Sequence, residues 1–196
     1  VPEFLMHLHG VIDSPDIPLN VSRSYLQSDP NVKKINSYIT RKVADKLEEL
    51  FKNDREAYQE KWEHIGLFVK YGMLSDEKFY EKALKFCLVQ DSEEKYYTLD
   101  EYREAVKDNQ TDKNKNVVYL YANHLEGQHS FVEGAKSAGY NVLLLDTVID
   151  NHFVNHMEGK LEETQFKRVD ADIPSKLIEK DEEPESVLSE EEEKKV

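Results

Sequence analysis

The chain has 196 residues, a single cysteine and a formal net charge of −14. This length suffices for one ordinary domain or two small ones with a buried core. The single cysteine excludes an internal disulfide framework and fits a reducing cytosol, while the acidic excess argues against nucleic acid, whose phosphates require clusters of Lys or Arg. The chain opens without an initiator Met and shows no signal peptide or apolar run that could cross a membrane, so we expect a cytoplasmic piece of a longer protein.

Residues 1–30 form the first predicted region, and two prolines shape it. Pro15 and Pro18 exclude a regular helix around them, because proline lacks the amide hydrogen and restricts the residue before it. We therefore predict an ordered loop, followed by a short helix over residues 22–28 that begins at a polar cap.

Arg23 and Gln27 are the candidate functional residues of this region. Because they are four residues apart on the predicted helix, they project from one face and can reach a single external ligand. A local ion pair for Arg23, with Gln27 in solvent, is the alternative that the residues alone leave open.

Residues 31–85 contain three helical patterns in succession. In the first, apolar residues recur at three- and four-residue steps, which indicates one buried face. These residues are Val32, Ile35, Ile39, Val43, Leu47 and Leu50. Asp54 can cap a second helix that ends at or near Gly72, and Asp76 begins a third. Aromatic side chains at helical spacing in the second and third helices are interpreted as core rather than as a ligand cage.

Residues 86–170 contain strands that alternate with helices. We predict an apolar run at 86–90, followed by helices at 99–106, 130–138 and 149–157 and by strands at 117–121, 141–145 and 165–169. Such alternation indicates βαβ units around a largely parallel sheet that is covered on both faces. The fold class is therefore α/β, with a helical coil followed by a small α/β/α sandwich. Cys87, within the apolar run, is interpreted as a small buried hydrophobe.

The last region, residues 171–196, is an acidic tail. From Asp170 onward, 11 acidic residues stand against four lysines, which accounts for half of the net charge of −14. Few aromatic residues and a run of glutamates are typical of a flexible segment. We interpret the region as a solvated linker, and an acidic tail that binds a partner is the alternative.

Two histidine pairs are weak candidates for metal binding. His7 and His9 would lie on one side of a strand, and His152 and His156 are four residues apart on a predicted helix. Neither pair has an obvious third ligand in the sequence, so no metal site is predicted.

Longer motifs indicate a family. The chain reads PEFL at Pro2–Leu5, GVIDSPDIPLNVSR at Gly10–Arg23, LQ at residues 26–27, VVYLYA at Val117–Ala122 and FVEGAKSAGYNVLLL at Phe131–Leu145. In these motifs the sequence resembles the middle domain of the 90-kDa heat-shock chaperone family, whose bacterial form is high-temperature protein G. The resemblance covers about residues 1–169, and residues 72–76 depart from the family pattern.

The resemblance implies a division of the chain into four parts. Residues 1–30 would be the C-terminal strip of a large middle-domain α/β/α unit, and residues 31–85 a coil of three helices. Residues 86–170 would be a second, smaller α/β/α sandwich, and residues 171–196 a flexible acidic tail or linker. The coil would thus link the end of one α/β/α unit to the second.

The resemblance also implies a function. Arg23, supported by Gln27, would contact the γ-phosphate of ATP that is bound with Mg in an N-terminal domain outside this sequence. The chain alone is not expected to bind a cofactor or to hydrolyse ATP. The longer protein would be a cytoplasmic homodimer acting on unfolded or partly folded client proteins. This part would contact its own N-terminal ATPase domain and C-terminal dimerisation domain, with no nucleic acid or membrane as a partner.

Two other classes of function stay open. The chain could be a nucleotide-independent protein-interaction module whose acidic tail and helical coil dock partners. It could also be a small-molecule enzyme of the doubly wound type, with a site at the strand ends near residues 121–123 and Asp146. His124 and Glu126, in the loop after the first of these strands, favour that interpretation.

Overall fold

The computed structural model describes residues 2–6 and 30–180. Its helices are α1 (Pro30–Asn53), α2 (Arg55–Ser75), α3 (Glu77–Ala83), α4 (Leu99–Val106), α5 (Leu125–Ser137) and α6 (Asp150–Lys160). Its strands are β1 (Leu88–Asp91), β2 (Tyr96–Thr98), β3 (Val117–Ala122), β4 (Val142–Leu144) and β5 (Thr164–Arg168). Two 3-10 turns, at Glu3–Leu5 and Pro174–Lys176, precede and follow these elements. The loop and short helix predicted within residues 7–29, and the acidic tail beyond residue 180, lie outside the described residues.

The second and third helices of the coil begin at the predicted caps. The carboxylate of Asp54 accepts a hydrogen bond from the amide of Ala57 at 3.0 Å, and that of Asp76 accepts one from the amide of Phe79 at 2.8 Å. Each carboxylate satisfies an amide in a first helical turn, where the amides have no partner within their own helix. The predicted starts of α2 and α3 are therefore confirmed.

Gly72 lies near the end of α2, as predicted, but it does not terminate the helix, which continues to Ser75. Two aromatic rings lie against it instead. A Cβ atom at Gly72 would be 2.7 Å from the ring of Phe79 and 2.9 Å from the ring of Phe4. The glycine therefore permits close packing of α2 against α3 and the first 3-10 turn.

The strands form one sheet in the order β2-β1-β4-β3-β5. β3 pairs in parallel with both β4 and β5, as expected for βαβ units. β1 pairs antiparallel with β4 and with β2, so a hairpin forms the other edge. Four strands therefore share one direction and β1 runs against them, which makes the sheet mostly parallel in direction but mixed in its pairing.

The hairpin strand β2 was not predicted, because its three residues are too few to show a period of two. The carboxylate of Asp91 holds the hairpin turn by accepting hydrogen bonds from the amides of Glu93 and Lys95, both at 2.9 Å. It also accepts hydrogen bonds from the hydroxyl of Tyr97 at 3.1 Å and from the side-chain amide of Asn141 at 2.9 Å. Asp91 is buried, and these bonds replace the hydration that its charge loses.

The sheet is covered on both faces, because alternate residues of β3 point to opposite sides. On one face, Leu120 of β3 shares a cluster with Val132 of α5. On the other, Tyr119 belongs to a larger cluster that includes Phe153 of α6 and Phe79 of the coil. The coil and the sandwich therefore share one hydrophobic core, and the predicted α/β fold class is confirmed.

Three aromatic residues of the second and third helices, Tyr58, Trp62 and Phe79, are buried in this core, as predicted. Leu50, near the end of α1, is 39% exposed, so its predicted core position was wrong, and the next residue, Phe51, packs against the core instead. Cys87 is fully buried, and burial raises the pKa of its thiol to about 12, which confirms a small apolar role. Within the described ranges, no helix combines the length and apolar character that a membrane span requires.

Candidate functional site

Arg23 and Gln27, the residues predicted to contact ATP, lie outside the described residues, and so do His7 and His9. Their roles therefore stay predictions. The described parts of the chain that flank them are the 3-10 turn at Glu3–Leu5 and the start of α1. Each of these two flanks lines a groove on the surface.

A groove of about 720 Å³ runs between α1 and α3 and is termed the basic groove. Its cationic lining residues are Lys33, Lys34, Arg41, Lys78 and Lys82. Two carboxylates, those of Asp76 and Glu81, share the lining, in a chain whose net charge is −14. The groove is therefore a local concentration of positive charge on an acidic protein.

Helical spacing places the cations of α1 on one side of that helix. Lys33, Ser37 and Arg41 follow one another at four-residue steps, so their side chains lie along one face. Thr40 and Ala44, on the adjacent face, are buried beneath the groove. The sequence thus contains a local signal for half of the groove, whereas the cations of α3 join it only in the fold.

Two carboxylates near the groove, those of Asp45 on α1 and Asp76 at the start of α3, have local roles. Lys82 donates a hydrogen bond to Asp45, and this bond is the largest cause of a lowered pKa at the Asp45 carboxyl. Asp76 accepts the capping bond of α3. In the part of the chain that the structure describes, no ion pair involves Lys33 or Arg41. Their charge can therefore act on an anionic partner.

Tyr38 adds an aromatic surface beside these cations and is 53% exposed. The guanidinium carbon of Arg41 lies 5.5 Å from the centre of its ring, and the ammonium nitrogen of Lys42 lies 5.7 Å from it. Cation–π contacts at such distances favour positions of the cations over the ring. This side of α1 therefore presents positive charge and an aromatic ring together.

A second groove, of about 320 Å³, lies between the first 3-10 turn, α2 and the start of α6, and is termed the apolar groove. Its exposed apolar lining residues are Met6, Leu67, Tyr71 and Val148, which are 70%, 41%, 37% and 89% exposed. Large apolar side chains that cluster at a surface are typical of an interaction site. The fold therefore offers an exposed apolar surface where the first 3-10 turn, α2 and the start of α6 meet.

The fold places the predicted histidine pair of α6 in two different surroundings. His152 lines the apolar groove. His156 packs edge-on against the ring of Tyr80, with 5.4 Å between the ring centres. Among residues 2–6 and 30–180, no group of three His, Cys, Asp or Glu side chains is placed to hold a metal ion.

The strand ends considered for a small-molecule site hold structural contacts. His124 caps α5, where its Nδ1 accepts a hydrogen bond from the amide of Gly127 at 3.3 Å. The side-chain oxygen of Gln128 accepts hydrogen bonds from the amides of Asn123 and His124 at 2.9 and 3.0 Å. Asp146 is exposed to solvent. These contacts favour a structural role for His124 over a catalytic one.

A buried ion pair joins the coil to the sandwich. Lys70 of α2 and Asp150 of α6 have side chains that are 7% and 2% exposed, and a carboxylate oxygen lies 2.5 Å from the ammonium nitrogen. The second carboxylate oxygen accepts a hydrogen bond from the amide of Thr147 at 2.9 Å. The ammonium group also lies 5.3 Å from the centre of the Phe153 ring. This pair was not predicted, although a lysine on the buried face of α2 is a signal for it in the sequence.

Two sequence comparisons find related proteins. The model of the Hsp90 protein family matches residues 1–196. The chaperone protein HtpG of Porphyromonas gingivalis strain W83 is 61% identical over 189 residues, and that of Bacteroides fragilis strain YCH46 is 56% identical over 188 residues. Each alignment covers 96% of this chain and 28% of the relative. The chain therefore spans less than a third of the length of these curated relatives.

A comparison of folds finds the middle domain of a heat shock protein from Plasmodium falciparum. The TM-score is 0.63, and the match covers 86% of this chain and 65% of that chain. Because the sequences are only 20% identical, this likeness concerns the fold alone.

Proposed function

This chain belongs to the Hsp90 protein family, and from that membership we propose that it forms the middle-domain part of an ATP-dependent molecular chaperone. The observation that carries the proposal is the family match over all 196 residues, which includes the motif at Gly10–Arg23. The likeness of its fold to a heat-shock middle domain supports it. The predicted resemblance to the 90-kDa heat-shock chaperones is confirmed by the same family match.

In this proposal Arg23 contacts the γ-phosphate of ATP that is bound, with Mg, in an N-terminal domain of the longer protein. Arginine presents a planar, permanently charged fork that matches phosphate oxygens and stabilises the charge of phosphoryl transfer. Gln27, four residues further on, would project from the same face of the predicted helix and support the same geometry. The motif around Arg23 supports these roles, and this chain by itself is not proposed to hydrolyse ATP.

The proposal also names partners and a division of the chain. The partners are unfolded client proteins and the N-terminal ATPase and C-terminal dimerisation domains of the same polypeptide, in a cytoplasmic homodimer. The chain divides into residues 1–30, 31–85, 86–170 and 171–196, as the sequence predicts. The apolar groove supports the assignment of clients, because its exposed side chains fit the apolar side chains of an unfolded protein.

ATP turnover of the longer protein tests the role of Arg23. We expect Arg23→Ala to lower kcat by about 10³-fold or more with the affinity for ATP largely kept, because the arginine acts on the transferring phosphate. Arg41→Ala removes a cation of the basic groove and is the matched control, which should leave turnover unchanged. Turnover near the wild-type value in the Arg23 variant would contradict the proposal.

The basic groove favours a second candidate function, the nucleotide-independent docking of an acidic protein surface. Its cations outnumber its carboxylates by five to two, and Tyr38 adds an aromatic contact beside them. Opposite charge on a partner would accelerate encounter and select the partner, with a strong dependence on salt. This function requires the groove and not the arginine motif.

Titration with a fluorescent glutamate-rich peptide tests this second function. The variant with Lys34→Glu and Arg41→Glu should bind the peptide more weakly and with less dependence on salt, since fewer charges are paired. The control is Arg23→Ala, which should bind as the unaltered chain does. Equal binding by the charge-reversed chain would exclude the basic groove as the docking surface.

A further inference from the structure

The ion pair of Lys70 and Asp150 stands at the junction of the two parts of the molecule. α2 belongs to the coil, whereas α6 connects β4 to β5 in the sandwich. The two residues are 80 positions apart in the sequence, yet their charged atoms are 2.5 Å apart. The pair is therefore a direct contact between the coil and the sandwich.

Apolar side chains would join α2 to α6 at a smaller cost in free energy. Lys70 lies beside buried Val69 on α2, and Asp150 begins a helix in which Phe153 is fully buried. The transfer of two ions out of water costs more free energy than the transfer of apolar groups of similar size. The attraction between the ions offsets this cost only when their geometry is good. Stability alone therefore explains this pair poorly.

A buried ion pair adds a directional constraint to the apolar packing around it. A buried cation and carboxylate lose their compensation as soon as they separate, so a shift of α6 along α2 that parts them costs free energy. The carboxylate of Asp150 is held in place a second time, because it also accepts the hydrogen bond from the amide of Thr147. This geometry favours one orientation of α6 on α2.

The same part of α2 supports the first 3-10 turn. Tyr71, next to Lys70, lines the apolar groove together with Met6 and with Val148, which precedes α6. After Met6 the chain continues into the motif that ends at Arg23. The ion pair therefore lies where the sandwich, the coil and the segment before the motif meet.

We propose that Lys70 and Asp150 are a positioning pair, which fixes α6 in one register on α2 so that the sandwich and the coil move as one body. A displacement of the sandwich then reaches residues 2–6 and the Arg23 motif that follows them. This second step rests on the proposed function, in which Arg23 acts on ATP.

Pulsed electron paramagnetic resonance on the 196-residue chain tests the first step. Spin labels on cysteines introduced at exposed Lys61 of α2 and Ser130 of α5 report the distance between coil and sandwich, while buried Cys87 stays unlabelled. We expect a narrow distribution of distances in this chain. The double variant with Lys70→Met and Asp150→Asn should give a clearly broader one, and an equally narrow distribution would overturn the proposal.

The design of the double variant isolates the ionic contact. It removes both charges, so no unpaired buried ion is left, and asparagine keeps an acceptor for the amide of Thr147. The matched control is Glu77→Gln, which breaks the exposed 2.6 Å pair between Lys160 of α6 and Glu77 of α3. That pair also joins the sandwich to the coil, but water screens it. The control distribution should therefore stay narrow.

Hydrogen exchange of the unaltered chain provides a second measurement that needs no folded variant. If the coil and the sandwich form one body, the amides of α2 and α6 near the pair should exchange through a single opening reaction. They should then show one common free energy of opening. Exchange of the α6 amides through an opening that leaves α2 protected would overturn the positioning role.

ATP turnover of the longer protein tests the second step. The double variant should lower turnover by between about 2-fold and 30-fold with the affinity for ATP kept, and Glu77→Gln should not change it. Broadened distances with wild-type turnover would overturn the transmission to Arg23 and leave the proposed function intact. Wild-type turnover of Arg23→Ala would refute the proposed function instead, and the distance measurement would still decide the positioning role.

Discussion

The coil and the sandwich meet through ion pairs of two kinds, one in the interior and others at the rim. Lys70 and Asp150 form the buried contact between α2 and α6. Arg55 of α2 and Glu101 of α4 form a rim contact, with two hydrogen bonds of 2.6 Å. Both contacts have good geometry, so the difference between them lies in their hydration. Burial, rather than bond length, decides how much free energy of unfolding is lost when one partner of each pair is removed.

Breaking the buried pair on one side should give the largest effect. Lys70→Met leaves the carboxylate of Asp150 in the interior without a cation, so we expect the free energy of unfolding to fall by about 3–5 kcal/mol. Urea denaturation followed by circular dichroism measures this change. Adding Asp150→Asn should recover much of the loss. Unchanged stability in the single variant would mean that burial does not distinguish the two contacts.

A methyl group added inside the packed side of α2 should have the next largest effect. In Gly72→Ala the new Cβ would lie 2.7 Å from the Phe79 ring. We expect a loss of about 1–3 kcal/mol, although alanine favours helices more than glycine does. The control is Gly159→Ala in α6, where no atom of the described chain lies within 4 Å of the new Cβ. In thermal denaturation, the Gly159 variant should have a higher Tm than the Gly72 variant. Equal Tm values would contradict the tight packing at Gly72.

The rim pair should have the smallest effect, with a characteristic dependence on pH. Hydrogen bonds from Arg55 are the largest cause of a pKa of Glu101 below its usual value of 4.5. Because the pKa is lower in the folded state, the pair stabilises the fold above the unfolded value, and this contribution is lost as the pH falls through the folded value. Solvent screens the partly exposed pair, so Glu101→Gln should cost at most about 1 kcal/mol near neutral pH.

Urea denaturation at a series of pH values checks that prediction. The difference in unfolding free energy between the unaltered chain and Glu101→Gln should vanish in acid, where Glu101 is protonated in both states. The glutamine keeps an acceptor for the amide of Thr98, so the cap of α4 remains. A difference that persists in acid would assign the effect to packing rather than to charge.

The elements of the coil and α4 could be predicted because their signals are local. Asp54 and Asp76 cap helices that begin one residue later, and the helix predicted at residues 99–106 is found at Leu99–Val106. A cap and an apolar period act within one or two turns, so a short window of sequence contains the cause. β2 was missed because it is too short to carry a period, and its place depends on pairing with β1.

The candidate sites were predictable to a smaller extent. Arg23 and Gln27 follow from a motif in consecutive residues, and their role stays a prediction. The cations of α1 show helical spacing, yet nothing in the sequence indicates that Lys78 and Lys82 of α3 complete the basic groove. A groove between two helices depends on how they pack, which no single segment specifies.

By itself, the sequence determined the family and the fold class, because the Gly10–Arg23 motif and the alternation of strands and helices are carried by consecutive residues. Only the tertiary structure decided which distant side chains meet, as Lys70 does with Asp150 across 80 positions. The free energy of such a contact depends on its burial and on its exact partner. Both are properties of the packed chain rather than of any stretch of sequence.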